Sequence, residues 1–158
     1  MGREETSAAL AVADSALHLG VVDDRSIDRV FARLPERLQP YRAMVDGIPD
    51  SGLESIVRFR LRARGLPFLI HPVIAGMEVD FLVGDSLVIE TDGAAFHSTE
   101  EAFERDRARD NRLAALGFTV IRWSFDQIVN QPDLCDARLN RQLALRDHLR
   151  PVSAFVGR

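Results

Sequence analysis

Two runs of alternating side chains, separated by Gly84, Asp85 and Ser86, mark the middle of the chain. In the first, Val79, Phe81 and Val83 alternate with Glu78, Asp80 and Leu82; in the second, Leu87, Ile89 and Thr91 alternate with Val88, Glu90 and Asp92. Alternation of this kind predicts β-strands over 78–83 and 87–92 with the turn at 84–86. Counting back from that turn sets Asp80 across from Glu90 and Glu78 across from Asp92, with all four acids on one face.

Helical periodicity frames this pair of strands. Ala9, Val12, Ala13, Ala16 and Leu17 form one stripe over 6–20, and a second short helix follows Asp24 with Ile27, Val30, Phe31 and Leu34 inward; Glu36 to Val45 reads as a third. After the breaker run 47–50, Leu53, Ile56, Val57 and Leu61 fall on one helical face, which predicts a helix over 53–64. Its arginines, Arg58, Arg60, Arg62 and Arg64, read as a solvated face, with a phosphate track as the alternative. Phe68 to Ala75 reads as a strand interrupted at Pro72, and therefore as an edge strand. A charged helix is expected from Thr99 to about Leu116, followed by a turn at Gly117, a buried strand over 118–124 and a helix over 132–149. Strand, helix and strand in that order predict a mixed sheet containing a parallel pair. The expected division is a helical N-terminal extension over 1–49, an α/β domain over 50–150 and a tail over 151–158.

Length and composition narrow the class. The 158 residues suit one compact domain, and 46% hydrophobic with 28% charged residues is ordinary for a soluble globular protein. A single cysteine, Cys135, rules out a disulfide framework or a cysteine zinc cluster. The chain has neither an apolar run of membrane-spanning length nor a signal-peptide core, so the default expectation is the cytoplasm. The net charge of −4 argues against a nucleic-acid partner unless the acids are gathered in a site. All 20 basic residues are arginine, so no lysine can act as base or phosphate clamp.

The candidate chemistry follows from the acids. Like charges directly opposed on a sheet are destabilising, so Asp80 and Glu90 call for a counter-charge, and a divalent cation with oxygen ligands, Mg²⁺ or Mn²⁺, supplies one. The small residues of 93–96 let His97 fold back towards these acids, and its near-neutral pKa suits proton transfer to or from water. Glu54 reads either as an i,i+4 surface partner of Arg58 or as a further site acid. Arg105 and Arg109, like charges at i,i+4, are candidates to meet phosphate; Asp106 and Asp110 are candidates to orient His97 or an arginine. Arg122 interrupts an apolar run and is a third candidate for phosphate, while Trp123 reads as core.

The order Glu54, Asp80, Glu90-Thr91-Asp92-Gly93, Phe96-His97, Arg105-Asp106-Arg107, Asp110, Leu116-Gly117-Phe118 and Arg122-Trp123 resembles the very-short-patch-repair-like endonucleases. The likeness is to their small bacterial branch of the domain-of-unknown-function 559 type, within the PD-(D/E)XK restriction-like superfamily, and it spans about residues 50–130. It implies a restriction-endonuclease-like α/β fold, a mixed β-sheet flanked by helices. It also implies DNA as substrate and metal held by Asp80, Glu90 and Thr91. The lysine usual in that family is replaced by Asp92, which shifts the role of base towards His97. The zinc cluster of the mismatch-repair relatives has no counterpart, so their mismatch specificity does not carry over. The expectation is a Mg²⁺-dependent endodeoxyribonuclease, with oligomeric state open and a homodimer among the options. The rivals are a catalytically degenerate nuclease fold that binds nucleic acid or a partner protein, and an enzyme acting on RNA.

Overall fold

The computed structural model describes residues 3–93, 100–153 and 156–157. They fall into two compact units, Met1–Gly65 and Leu66–Arg158. Among the described residues no helix is long and apolar enough to cross a membrane.

The first unit is helical: α1 (Arg3–His18), α2 (Asp24–Ala32), a 3₁₀ segment (Glu36–Met44) and α3 (Gly52–Ala63). Side-chain caps set where the later helices begin. Asp23 accepts the Ser26 N–H at 2.8 Å to open α2, and Ser51 accepts the Glu54 N–H at 3.2 Å to open α3. Pro40 lies inside the segment read as a third helix; it offers no backbone donor, and the chain takes the 3₁₀ form there. Leu10, Ile27, Phe31, Val45 and Phe59 pack together as the core of this unit.

The arginines of α3 correct the reading of a solvated face. Arg58 is 2% exposed and Arg60 7%. The Arg58 guanidinium meets Asp14 Oδ2 at 2.5 Å and also pairs with Asp46, while Arg62 holds the other Asp46 oxygen at 3.0 Å. Asp14 Oδ1 in turn accepts the Asp46 N–H at 3.1 Å. Arg58 is therefore committed to α1 and the chain before α3, and not to an i,i+4 pair with Glu54.

The second unit is built on a four-stranded mixed sheet in the order β1-β4-β5-β6, with β1 at Phe68–Ile70, β4 at Phe81–Val83, β5 at Leu87–Asp92 and β6 at Thr119–Ser124. β1 is an edge strand, as expected. β4 and β5 are antiparallel with Val83 opposite Leu87 and Phe81 opposite Ile89. The turn at 84–86 and the register counted from it are those read from the sequence. α4 (Glu100–Ala115) carries the chain to β6, which lies parallel to β5. Leu82 and Val88, with Val120 beside them, lie against Leu113 and Leu116 of α4. Period-2 alternation then puts Asp80, Glu90 and Arg122 on that same, α4-covered face.

The chain around this sheet departs from expectation in three places. Residues 68–75 and 78–83 are not single strands. β2 (Val73–Ile74) and β3 (Met77–Glu78) form a separate three-stranded sheet with β7 (Val156–Gly157), in the order β3-β2-β7. The break comes from a tight hairpin in which Ala75 and Gly76 both have positive φ, at 49° and 81°, after His71 at 50°. Exposed Glu78 consequently pairs with Val73 and does not lie across from Asp92. Finally, the C-terminal segment is split into α5 (Phe125–Val129), α6 (Pro132–Ala144) and a short 3₁₀ turn at Asp147–Leu149.

That last turn is tied to the β4–β5 loop. The Asp85 N–H donates to the His148 carbonyl at 2.7 Å, and buried Ser86 donates to the Asp147 carbonyl at 2.6 Å. Gly84 has φ +61°, and a Cβ on it would overlap the His148 carbonyl oxygen. Gly84→Ala is therefore expected to cost about 2 kcal/mol or more, read as a lower denaturation midpoint at unchanged slope.

Candidate active site

The site lies where β4 ends and β5 continues. Strand pairing stops at Phe81–Ile89, and the next position on each strand carries an acid. Asp80 Oδ2 accepts both the backbone N–H and the hydroxyl of Thr91, each at 2.7 Å. The Asp80 N–H reaches back to Glu90 Oε2 at 3.4 Å. Asp80 is thus oriented by the strand that carries its partner, and the two carboxyls face one space.

Glu90 is 4% exposed. Its Oε1 lies 2.8 Å from Arg109 Nη2, yet Oε1 and Arg109 Nε are both buried with no hydrogen-bond partner among the described residues. The two groups share charge without aligning their donors and acceptors. Arg109 comes from α4 and also donates to the Glu78 carbonyl oxygen. Burial, then the Asp80 charge, push the Glu90 carboxyl up to about 7, against the opposing pull of Arg109 and Arg122.

Arg122 stands beside Glu90 in the parallel β5–β6 register. Its guanidinium grips Asp110 through two nitrogens, at 2.9 and 3.2 Å, and reaches Asp92 Oδ1 at 3.3 Å. These carboxylates, Asp110 foremost, raise the Arg122 pKa and fix its cation. The expectation that Asp110 orients an arginine is met by this pair. Asp92 is engaged as an acceptor for Arg122.

The structure thus brings together Asp80, Glu90, Thr91, Asp92, Arg109 and Arg122. Arg105 lies exposed on α4. Glu54 belongs to the Met1–Gly65 unit, where it is buried and accepts from the Ser51 hydroxyl at 2.7 Å and the Asp50 N–H at 3.0 Å, closing the start of α3. His97 lies outside the described residues. Sequence reading missed the ion pair of Arg109 with Glu90, although the like-charge spacing along α4 had signalled that some of its side chains must be spent elsewhere.

The donor set can be weighed against a divalent cation. Among the described residues no three of His, Cys, Asp and Glu gather into a metal-holding group. Two carboxylates and a backbone carbonyl are a sparse set, of the kind that suits Mg²⁺, which keeps several waters and shares its remaining positions with substrate phosphate. The buried Glu90 oxygen without a hydrogen bond is the feature that fits a cation best.

Comparison with known proteins follows the same lines. The restriction-endonuclease-like family model REase_MTES_1575 matches residues 53–143. Among solved structures, the homing endonuclease I-Bth0305I catalytic domain aligns with a TM-score of 0.50 at 21% identity, covering 58% of this chain and 94% of that one. The likeness is one of fold. Curated proteins yield no match.

Proposed function

Because the chain belongs to the restriction-endonuclease-like family REase_MTES_1575, we propose that it is a divalent-metal-dependent endonuclease that hydrolyses DNA phosphodiester bonds at the Asp80–Glu90 face. The observation that carries this reading is the buried Glu90 carboxyl beside Asp80, with an oxygen that its arginine neighbour does not hydrogen-bond. Asp80, Glu90 and the Thr91 carbonyl are the proposed ligands of Mg²⁺ or Mn²⁺. Bound there, the cation would lower the pKa of a coordinated water and offset phosphate charge.

The chain's own groups supply the rest. Thr91 keeps Asp80 in one rotamer through paired hydrogen bonds, so that carboxylate meets a ligand without reorganising. Arg109 sets a cation beside the acid pair, on the side from which α4 approaches, and is the arginine proposed to face phosphate oxygen. Arg122 flanks the same pair from β6. His97 is the proposed base for the water proton. Arg105 is proposed to contact DNA further out on α4.

The experiment is nicking of supercoiled plasmid with Mg²⁺ or Mn²⁺ against an EDTA control. Asp80→Asn and Glu90→Gln are each expected to lower the rate by about 100-fold or more. Cleavage that persists in both variants would remove the proposal. The second reading, a nuclease fold that binds without cutting, draws on Asp92, whose carboxylate is spent on Arg122. It predicts binding of the same DNA with no metal-dependent nicking. A labelled RNA in the parallel assay separates the third.

A further inference from the structure

Among the described residues β6 is the outer strand of its sheet, with no strand beside one of its edges. Along that edge runs a cleft of about 490 Å³, lined by Val120, Ile121 and Arg122 of β6 and by Arg138, Arg141 and Gln142 of α6. Among the described residues Asp110 is its one acidic lining residue, and the Arg122 guanidinium already matches that charge. Among the described residues neither Arg138 nor Arg141 has a carboxylate partner, and both are exposed. In a protein of net charge −4, a cleft with unmatched arginines is a local reversal of sign.

We infer that this cleft is a track for the phosphodiester backbone of DNA that continues from the acid pair along the β6 edge, with Arg138 and Arg141 as its phosphate contacts. Arg138 and Arg141 stand at i,i+3, which puts their stems on one face of α6 about 5–6 Å apart. Neighbouring phosphates of one strand can be met by two donors so placed, and each guanidinium offers a planar fork to phosphate oxygens. Arg122 joins the track to the site. It is held rigid by Asp110 and Asp92 and lies beside Glu90 in register, so a strand lying on α6 and passing Arg122 is led towards the acids. Gln142 adds a neutral hydrogen-bonding group without adding charge. A partner strand docking on the β6 edge would instead find the approach lined by unpaired arginines, which natural edges use to repel such pairing.

The inference rests on the nuclease reading for its direction, yet its test is separate. The full-length protein in EDTA is titrated into a fluorescein-labelled duplex, followed by anisotropy over a series of salt concentrations. Arg138→Gln/Arg141→Gln is expected to bind about tenfold more weakly, with the log–log salt slope shallower by about 2, one for each lost phosphate contact. Arg33→Gln/Arg37→Gln, which removes the same charge from exposed positions of the other unit, is expected to leave both quantities unchanged. Thermal melts show whether each double variant remains folded. Equal losses in the two variants would reduce the effect to net charge and overturn the track, as would no loss in the first or no binding by the native chain. A shift from dimer to monomer in light scattering, with DNA affinity unchanged, would assign the cleft to a second copy of the chain. Weaker binding without metal-dependent nicking would leave the track standing and remove the nuclease, whereas nicking with unaltered binding would do the reverse.

Discussion

Arg58→Ala is expected to cost the protein about 3–5 kcal/mol of stability, enough to unfold much of the helical unit near physiological temperature. The cost arises less from a lost attraction than from what is left behind. Asp14 is fully buried, and once the guanidinium is gone its carboxylate is left with the N–H groups of Asp46 and Gly47, at 3.1 and 3.4 Å. The Met44 carbonyl loses the same donor. Arg58→Lys is expected to recover only part of the loss, since one ammonium cannot meet Asp14 and Asp46 with the fixed fork of a guanidinium. Replacing the pair together, Arg58→Met with Asp14→Leu, removes the orphaned charge and is expected to stand closer to the native chain than either single variant. Urea denaturation of the four proteins checks this. A single variant within about 0.5 kcal/mol of native would mean that the pair is solvated.

Stability in EDTA is expected to fall with rising pH because of Glu90. In the unfolded chain its carboxyl titrates near 4.5, and in the folded protein near 7. Between those values the folded state holds a proton that the unfolded chain has released. The stability contributed by neutral Glu90 is therefore complete below about 4.5 and is lost as pH rises through about 7. A shift of this size corresponds to about 3 kcal/mol. Glu90→Gln keeps the neutral shape, so the gap between variant and native stability is expected to widen by that amount from pH 4.5 to pH 8, less whatever Arg109 loses when its carboxylate partner goes. Magnesium or manganese at pH 8 is expected to restore the native chain and leave Glu90→Gln unmoved, because a bound cation favours the ionised form. Parallel pH profiles for the two proteins would show that Glu90 ionises freely, and an absence of any metal-induced stabilisation would count against the proposed ligands.

How far the acid site could be read from the sequence depends on the range of the contacts involved. The loop 84–86 and the two-residue period of the strands on either side of it fix the parity of β4 and β5, so Asp80 and Glu90 follow as neighbours from local rules alone. The same counting fails two residues further on, at Glu78. Positive φ at Ala75 and Gly76 turns the chain into a second sheet before the alternation in the sequence gives any sign of it.

The sequence by itself determined the β4–β5 hairpin, the parallel β5–β6 pair around a charged helix, the facing of Asp80 and Glu90, and a family likeness resting on residues spread across about half the chain. Those features depend on period, turn chemistry and composition, which act between near neighbours. Tertiary structure decided which charges are spent and which remain. Arg58 finds Asp14 across a separation of 44 positions, and Arg109 finds the Glu78 carbonyl across 31. Arg122 is locked between Asp110 and Asp92, while Arg138 and Arg141 have no carboxylate partner among the described residues. An arginine's helical spacing shows which face it occupies, but its partner depends on which chain segment packing brings to that face, and burial then sets how much the pairing is worth.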